Sequence, residues 1–354
     1  MSAQIALRLA LLGTVDEFLG GGRAVDFGQP VELQATLVEI ITRRLLEAGH
    51  SPLDLCKELE KLTYVHLKGV FSVEGLPETP NGFYPIPDCR STVAARLVAI
   101  SLGGFFAKRM ISYGSENEGE LFVNLVALEG GGAVSKNSTK AMRGHTDAAS
   151  FPFPGGVDPT STRIAPSPDV VCLMGLKNAD SVSTTLMLLH ELMSDLTADD
   201  IAQLSKPQFL IGCQRTFARG TKHVFGDEHY ADGANVLEAR SGGQVWVRYS
   251  HSSVTVAGDA TDDQSVSNDV IAERSPAAAA KNRFEEACVS RARRVVINPG
   301  DVLWVNNRQA LHGRTVVDHE VGGSARWLLR GYALDPTVIR REQYYEESEF
   351  KLYP

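Results

Sequence analysis

The first third of the chain has the apolar spacing of amphipathic helices. Over residues 31–48, apolar side chains recur at about the 3.6-residue period of an α-helix, at Leu33, Leu37, Ile40, Ile41, Leu45 and Leu46. Gly49 would end this helix, because glycine readily adopts the left-handed conformation found at helix ends. A second helix is predicted after a cap at Ser91 or Thr92. Residues 1–115 are therefore predicted to form a mainly helical supporting layer.

From about residue 121 the pattern changes to short apolar runs between turn signals. Such runs predict strands, here at residues 121–126, 170–176, 244–249, 295–297, 302–305 and 327–333. Helices are predicted to interrupt them at residues 184–196 and 277–294.

Many short strands with peripheral helices, and no regular β–α–β order, predict a mixed fold of the α+β class. We expect a single domain over residues 1–354, with a jelly-roll core (a double-stranded β-helix) over about residues 116–340. The segment at about 213–240 is polar and contains three glycines, so we expect an irregular loop there. A loop of that length in a compact domain is commonly functional, and we interpret it as a lid.

Composition narrows the functional classes. The net charge is −8 and the isoelectric point is about 5.6, so the chain repels phosphate backbones and nucleic acid is not an expected partner. No stretch approaches the roughly 18 apolar residues that a membrane span needs. The five cysteines are scattered without a CxxC pair, which is typical of reduced thiols in a cytoplasmic enzyme. The sequence does not indicate an oligomeric state.

Three polar residues have the spacing of a metal site. Residues i and i+2 of a strand share a face, so His145 and Asp147 can present an imidazole and a carboxylate to one ion. His312 follows the predicted strand at 302–305 and would supply a second imidazole. Two histidines and one carboxylate form the facial triad of non-haem Fe(II) oxygenases, which leaves three coordination positions open.

Two arginines follow the distal histidine within a late predicted strand. Arg326 lies 14 positions after His312, and its planar guanidinium suits bidentate capture of a carboxylate. Arg330 lies four positions further on and falls on the same face of an extended strand. A structural ion pair is the alternative interpretation of Arg330.

These motifs resemble those of the clavaminate-synthase-like oxygenases, within the broader taurine-dioxygenase-like superfamily. The resemblance spans roughly residues 80–335. It rests on Gly144-His145-Thr146-Asp147 with Phe151-Pro152, on residues 300–308 (GDVLWVNNR) and 310–314 (ALHGR), and on residues 326–330 (RWLLR). The family includes hydroxylases of free arginine, asparagine and lysine. Several members carry Glu at the position of Asp147, and Asp is equally able to bind iron.

The resemblance implies a 2-oxoglutarate-dependent dioxygenase with Fe(II), and with 2-oxoglutarate and O2 as co-substrates. His145, Asp147 and His312 would bind the iron, and Arg326 would hold the distal carboxylate of 2-oxoglutarate. In the amino-acid hydroxylases the arginine matching Arg330 holds the α-carboxylate of the substrate. The implied reaction is hydroxylation of an unactivated C–H bond of a free L-amino acid, a basic one such as lysine or arginine, giving succinate and CO2. A role in natural-product biosynthesis follows by the same analogy.

A basic substrate side chain requires nearby carboxylates. Asp259, Asp262 and Asp263 form an acidic cluster after the predicted strand at 244–249, although a solvated loop is the alternative interpretation. Glu228 and Asp232 in the predicted lid are similar candidates. Asn124, on a strand before the His-x-Asp motif, could contact the substrate amine.

Other functions remain open. The same oxidant could desaturate or cyclise an amino-acid-derived intermediate, because the motifs do not fix the fate of the substrate. A non-catalytic jelly-roll binding protein and a zinc hydrolase with the same ligands are alternatives of other classes, and neither gives Arg326 a role. Asp147 argues against a halogenase, in which a small residue replaces the carboxylate so that halide can bind.

Overall fold

The computed structural model describes residues 2–129, 139–257, 275–317 and 321–354. Its helices are, in chain order, α1 (Ala3–Gly20), α2 (Pro30–Glu47), α3 (Pro52–Leu59), α4 (Arg90–Phe105), α5 (Leu189–Ser194), α6 (Ala198–Leu204), α7 (Arg215–Phe225) and α8 (Pro276–Ser290). Helix α2 matches the helix predicted over residues 31–48, and α4 begins one residue before the predicted cap at Ser91. None of the helices in the described ranges has both the length and the apolar character needed to cross a bilayer.

The strands form two main sheets, which are antiparallel except for the parallel pair of β2 and β16, and two small ones. In chain order they are β1 (Tyr64–Leu67), β2 (Arg109–Tyr113), β3 (Phe122–Leu125), β4 (Met142–His145), β5 (Val170–Lys177), β6 (Ser183–Leu188), β7 (Phe209–Gly212), β8 (Tyr230–Ala234), β9 (Leu237–Ala239), β10 (Val245–Val247), β11 (Val254–Val256), β12 (Arg293–Val296), β13 (Val302–Asn306), β14 (Ala310–Arg314), β15 (Trp327–Leu334) and β16 (Lys351–Leu352).

The large sheet has the order β1-β13-β5-β15-β2-β16, and β3 also pairs with β15. One face of this sheet packs against helices α1 to α4. That contact forms the helix-side core, which includes Leu37, Leu97, Cys172, Trp304 and Leu329. The observed mixture of helices and sheets agrees with the predicted fold class.

The second main sheet has the order β12-β6-β14-β4 and lies against the other face of the large sheet. The two sheets share the inter-sheet core, which includes Val171, Leu186, Leu303, Ala310 and Leu328. Strands β4 and β14 carry the His-x-Asp motif and the distal histidine, so both halves of the candidate site belong to this smaller sheet.

Two sequence-based expectations about secondary structure are wrong. Residues 213–240 do not form an irregular loop, because they contain α7, β8 and β9. Gly226 ends α7 at φ 88°, and Gly220 lies inside that helix. Both glycines indicated a loop in the sequence, but both belong to this helix or its end. Residues 184–196 are not one helix either. Ser183–Leu188 forms β6, where tertiary pairing with β12 and β14 overrides the apolar spacing.

Gly220 is required by the packing of α7. A Cβ atom at this position would overlap the backbone of Ser115, in the turn that precedes β3. We predict that Gly220→Ala lowers the free energy of unfolding by roughly 1–3 kcal/mol, because overpacking displaces backbone. Gly20→Ala at the end of α1 is the matched control, since nothing lies within 4 Å of the added methyl group there. Urea unfolding of both variants tests this, and equal stability would contradict it.

Candidate metal centre and its surroundings

The pairing of two strands brings the predicted metal ligands together. His145 ends β4 and lies directly opposite His312 of β14, with the two ring centroids 4.3 Å apart. Asp147 follows just beyond β4. Its Oδ2 lies 3.3 Å from Nε2 of His312, and its Oδ1 lies 3.8 Å from Nε2 of His145. One ligand atom from each of the three residues lies within 4.8 Å of the others.

The protonation of this cluster suits a metal ion. Nδ1 of His145 lies 3.0 Å from the carbonyl oxygen of Arg143, so a proton on Nδ1 leaves the Nε2 lone pair free toward Asp147. Burial and the neighbouring His312 lower the pKa of His145 to about 4, which favours the neutral, ligating form. Burial raises the pKa of Asp147, but the two imidazoles and Arg330 outweigh burial and hold this pKa well below its usual range.

One oxygen of Asp147 and Nδ1 of His312 are buried without a hydrogen-bond partner among the described residues. An ionised carboxylate with an unsatisfied oxygen is costly in an interior unless a cation neutralises it. The donor set of two imidazoles and one carboxylate fits a divalent iron that keeps open coordination positions.

Arg326 lies just before β15, on the face of that strand that carries Leu328 of the inter-sheet core. Its side chain is buried, and its Nε has no hydrogen-bond partner in the described ranges. Burial, and then the nearby Arg314, lower the pKa of Arg326 to about 9. No carboxylate of the described residues forms an ion pair with it, so this cation has the character of an anion-binding group.

Arg330 lies on the same face of β15 and forms a buried ion pair. Its Nη2 donates to Oε2 of Glu116 at 2.8 Å, and both side chains are almost fully enclosed. Burial lowers the pKa of Arg330, but the carboxylates of Glu116 and Asp147 raise it above its usual value. Burial raises the pKa of Glu116 against the opposing effect of Arg330, and Oε1 of Glu116 has no partner among the described residues. Arg330 also acts electrostatically on Asp147 and His145, so the pair lies close to the metal cluster.

Glu116 was not identified from the sequence as a residue of the candidate site. It lies in the turn between β2 and β3, where Asn117, Glu118 and Gly119 have positive φ angles. A polar, glycine-containing turn with several acids is typical of a solvent-exposed connection. Only the tertiary contact with Arg330 indicates that this glutamate is buried and charged.

The prediction that Asn124 contacts a substrate amine is wrong. Asn124 lies opposite Leu329 in the β3–β15 pairing, so it faces the helix-side core and not the metal cluster. Its Nδ2 donates to the carbonyl oxygens of Gly82 and Pro85 at 3.2 and 3.1 Å, and its Oδ1 accepts from Trp327 at 2.9 Å. Both ends of the amide therefore make structural contacts.

Only some of the carboxylates that were predicted to bind a basic substrate side chain lie within the described residues. Asp259, Asp262 and Asp263 lie outside the described residues. Glu228 precedes β8 and Asp232 lies within it, and both residues are exposed. Glu228 and Asp232 are thus not part of the buried cluster around Asp147.

Comparisons with known proteins agree with the resemblance predicted from the sequence. No family model matches the chain. An L-lysine 3-hydroxylase of Catenulispora acidiphila is 24% identical over 278 residues, which are 75% of this chain and 65% of the relative, so the chain spans about two thirds of that protein.

Two solved structures share the fold over nearly the whole chain. An asparagine oxygenase, solved with Fe(II), 3-hydroxyasparagine and succinate, has a TM-score of 0.71 and 17% identity, covering 100% of this chain and 98% of that one. The non-haem iron oxygenase OrfP, solved with iron, succinate and (3S)-hydroxy-L-arginine, has a TM-score of 0.73 and 19% identity, covering 98% and 97%. The fold is thus that of the non-haem iron oxygenases.

The metal cluster predicts tight binding of a divalent ion. We expect the protein to bind one Co(II), used as an air-stable substitute for Fe(II), and Asp147→Asn to weaken this binding by at least about 100-fold, more than the loss of an outer-shell partner causes. Calorimetric titration measures the affinity.

Asp158→Asn is the matched control, because Asp158 is also buried and lies 2.9 Å from a histidine, His229, but belongs to no metal cluster in the described ranges. Equal cobalt affinity in wild type and Asp147→Asn would show that the cluster is not a metal site.

Proposed function

We propose that this protein is an Fe(II)- and 2-oxoglutarate-dependent dioxygenase that hydroxylates a free, basic L-amino acid, lysine or arginine. The observation that carries this proposal is the cluster of His145, Asp147 and His312, on which the neighbouring Arg330 acts electrostatically, together with the buried Arg326. A hydrolase or a binding protein would need no unpaired guanidinium in this position. The chemistry of the relatives named above supports the same assignment.

We assign the whole chain, residues 1–354, to one oxygenase domain, with residues 1–115 as support and residues 116–340 as a jelly-roll core. Two largely antiparallel sheets that face each other across the inter-sheet core support the jelly-roll assignment. The helices α1 to α4 cover the outer face of the large sheet and keep it rigid. Such a support suits a site that must hold its ligands at fixed distances.

His145, Asp147 and His312 would hold the iron on one side and leave the other side to the co-substrates. When bound, the iron with 2-oxoglutarate and O2 supplies the oxidant, and the co-substrate leaves as succinate and CO2. The protein fixes Nε2 of His145 through the bond from Nδ1 to the Arg143 carbonyl. Asp147 remains ionised at every physiological pH, so its charge is always available to the ion.

Arg326 would bind the distal carboxylate of 2-oxoglutarate. The guanidinium is buried, and no described carboxylate neutralises it, so a dianionic co-substrate would supply the missing charge. Burial and then Arg314 lower its pKa to about 9, and no described carboxylate opposes them. Binding of an anion would therefore relieve an electrostatic cost that the protein bears alone.

The Glu116–Arg330 pair would bind the amino acid as a zwitterion. A guanidinium and a carboxylate 2.8 Å apart match an α-carboxylate and an α-ammonium group in size and charge. The free Oε1 of Glu116 gives the ammonium group an acceptor without breaking the ion pair. This arrangement favours a free amino acid over a residue within a peptide, which lacks both charges.

Support for a basic side chain comes from the relatives and from the acidic residues of the chain. The similar proteins carry the names of a lysine hydroxylase and an oxygenase solved with hydroxyarginine. Asp259, Asp262 and Asp263 are our candidates to bind the distal cation. The segment 213–240, now seen as α7, β8 and β9, is our candidate for the cover that excludes water during the reaction.

The proposed activity predicts succinate formation that depends on one amino acid. The purified protein is incubated with Fe(II), 2-oxoglutarate and O2 in the presence of each free L-amino acid, and succinate is measured. We expect lysine or arginine to give the largest signal, and His145→Ala to abolish it. Binding of iron and 2-oxoglutarate without turnover of any amino acid would reject the substrate class, and failure to bind either would reject the enzyme class.

The two arginines predict separable kinetic defects. Arg326→Lys should raise KM for 2-oxoglutarate by roughly tenfold or more and leave KM for the amino acid unchanged, because an ammonium group cannot replace a bidentate guanidinium. Glu116→Gln should show the reverse, since it removes the charge that faces the α-ammonium group. Thermal unfolding of both variants controls for stability. Equal increases of both KM values in either variant would contradict the assigned roles.

A further inference from the structure

The backbone of residues 146–148, which follows β4 and includes Asp147, lies outside any strand and is buried. Strand β4 ends at His145, and Thr146, Asp147 and Ala148 are 1%, 5% and 2% exposed. Ala148 has φ 54°, in the left-handed region that a residue with a side chain seldom adopts. The three N–H and three C=O groups of this segment, called here the metal loop (residues 146–148), need partners other than a strand ladder.

Two side-chain amides supply most of these partners. The Asp147 N–H donates to Oδ1 of Asn307 at 2.9 Å, and Nδ2 of Asn307 donates to the Asp147 carbonyl oxygen at 3.1 Å. The Ala148 N–H donates to Oε1 of Gln214 at 2.8 Å, and Nε2 of Gln214 lies 3.4 Å from the Thr146 carbonyl oxygen. The remaining two groups of the loop bond to the backbone of Tyr249 and Phe151.

Asn307 is well suited to hold the loop. It is fully buried in the turn between β13 and β14. Its Nδ2 also donates a second hydrogen bond, to the Pro168 carbonyl oxygen at 3.0 Å. A carboxamide is the side chain that donates and accepts in one plane, so it can bind both polar groups of one peptide residue. The same turn leads into β14, which carries His312. Asn307 therefore connects the backbone of one proposed ligand with the strand of another.

Gln214 connects the metal loop to a second element. It immediately precedes α7, and α7 packs so closely on the Ser115 backbone that Gly220 has no room for a side chain. The Thr216 hydroxyl, two residues after Gln214, stabilises the charged form of Glu116. Helix α7 thus touches both the Glu116 turn and, through Gln214, the metal loop.

We propose that Asn307 and Gln214 are positioning residues that set the direction of the Asp147 carboxylate through the backbone of the metal loop. This inference rests on the proposed function, since it takes Asp147 as an iron ligand. Asn307 is the stronger of the two, because it is fully buried and makes three bonds of 2.9–3.1 Å. Gln214 is partly exposed, and one of its two bonds is long.

Asn307→Asp tests this directly. The carboxylate keeps the size of the amide but cannot donate to the Asp147 and Pro168 carbonyl oxygens. We expect Co(II) affinity to fall by roughly 10- to 100-fold, as for outer-shell partners of metal ligands, and the visible spectrum of the bound cobalt to change with the ligand geometry. Gln214→Glu should cause the same changes to a smaller extent, and it carries the test if Asn307→Asp does not fold.

Asn178→Asp is the matched control. Asn178 is also buried and also makes three bonds, to both backbone groups of Val182 and to the Ile297 carbonyl oxygen, all at 3.0 Å. It lies between β5 and β6, away from the metal loop. We expect this control to lower the melting temperature of the metal-free protein and to leave cobalt affinity and spectrum unchanged.

The outcomes separate the two hypotheses. Wild-type cobalt affinity and spectrum in folded Asn307→Asp and Gln214→Glu would overturn the positioning role and leave the proposed function intact. Weakened cobalt binding in these variants, together with a wild-type protein that turns over no amino acid, would support the positioning role and reject the hydroxylase. A wild-type protein that binds no cobalt would overturn both.

Discussion

The pairing of β4 with β14 is the constraint on which the site depends, because it sets His145 opposite His312. A shift of one residue would turn one imidazole to the other face of the sheet and separate the ligands. Glycines beside each histidine allow this pairing. A Cβ atom at Gly313 would overlap the Met142 carbonyl oxygen, and one at Gly144 would overlap Met187. The motif's glycines therefore serve close packing around the metal cluster.

The buried charges around the metal cluster are a second constraint on the site. Among the described residues, Arg330 and Glu116 neutralise each other, whereas Arg326 and Asp147 have no such partner of their own. Under the proposed function, a divalent iron and a dianionic 2-oxoglutarate would together add no net charge, and the α-carboxylate and α-ammonium groups of the amino acid would cancel each other. The protein thus bears the cost of separated buried charges until its ligands arrive. This explains why one cation is paired and the other is left open on the same face of β15.

The sequence predicted from strand alternation that His145 and Asp147 lie side by side and that Arg326 and Arg330 share a face. The structure places Asp147 beside both histidines, but in the loop after β4 and not in a strand. The role of Asn124 was misjudged because its face depends on how β3 pairs with β15. Glu116 and the structure of residues 213–240 were missed for a similar reason, since burial by a distant arginine and packing on Ser115 leave no periodic pattern in the sequence.

The contacts of α7 connect access to the site with its geometry. The side chains of His145, Asp147 and His312 are only 11%, 6% and 9% exposed, so the protein largely encloses them. Helix α7 begins beside Gln214, which binds the metal loop, and packs on the turn that carries Glu116. A displacement of α7 would therefore either break the Gln214 bonds or carry the metal loop with it. In both cases the metal loop and the turn that carries Glu116 share α7 as one support.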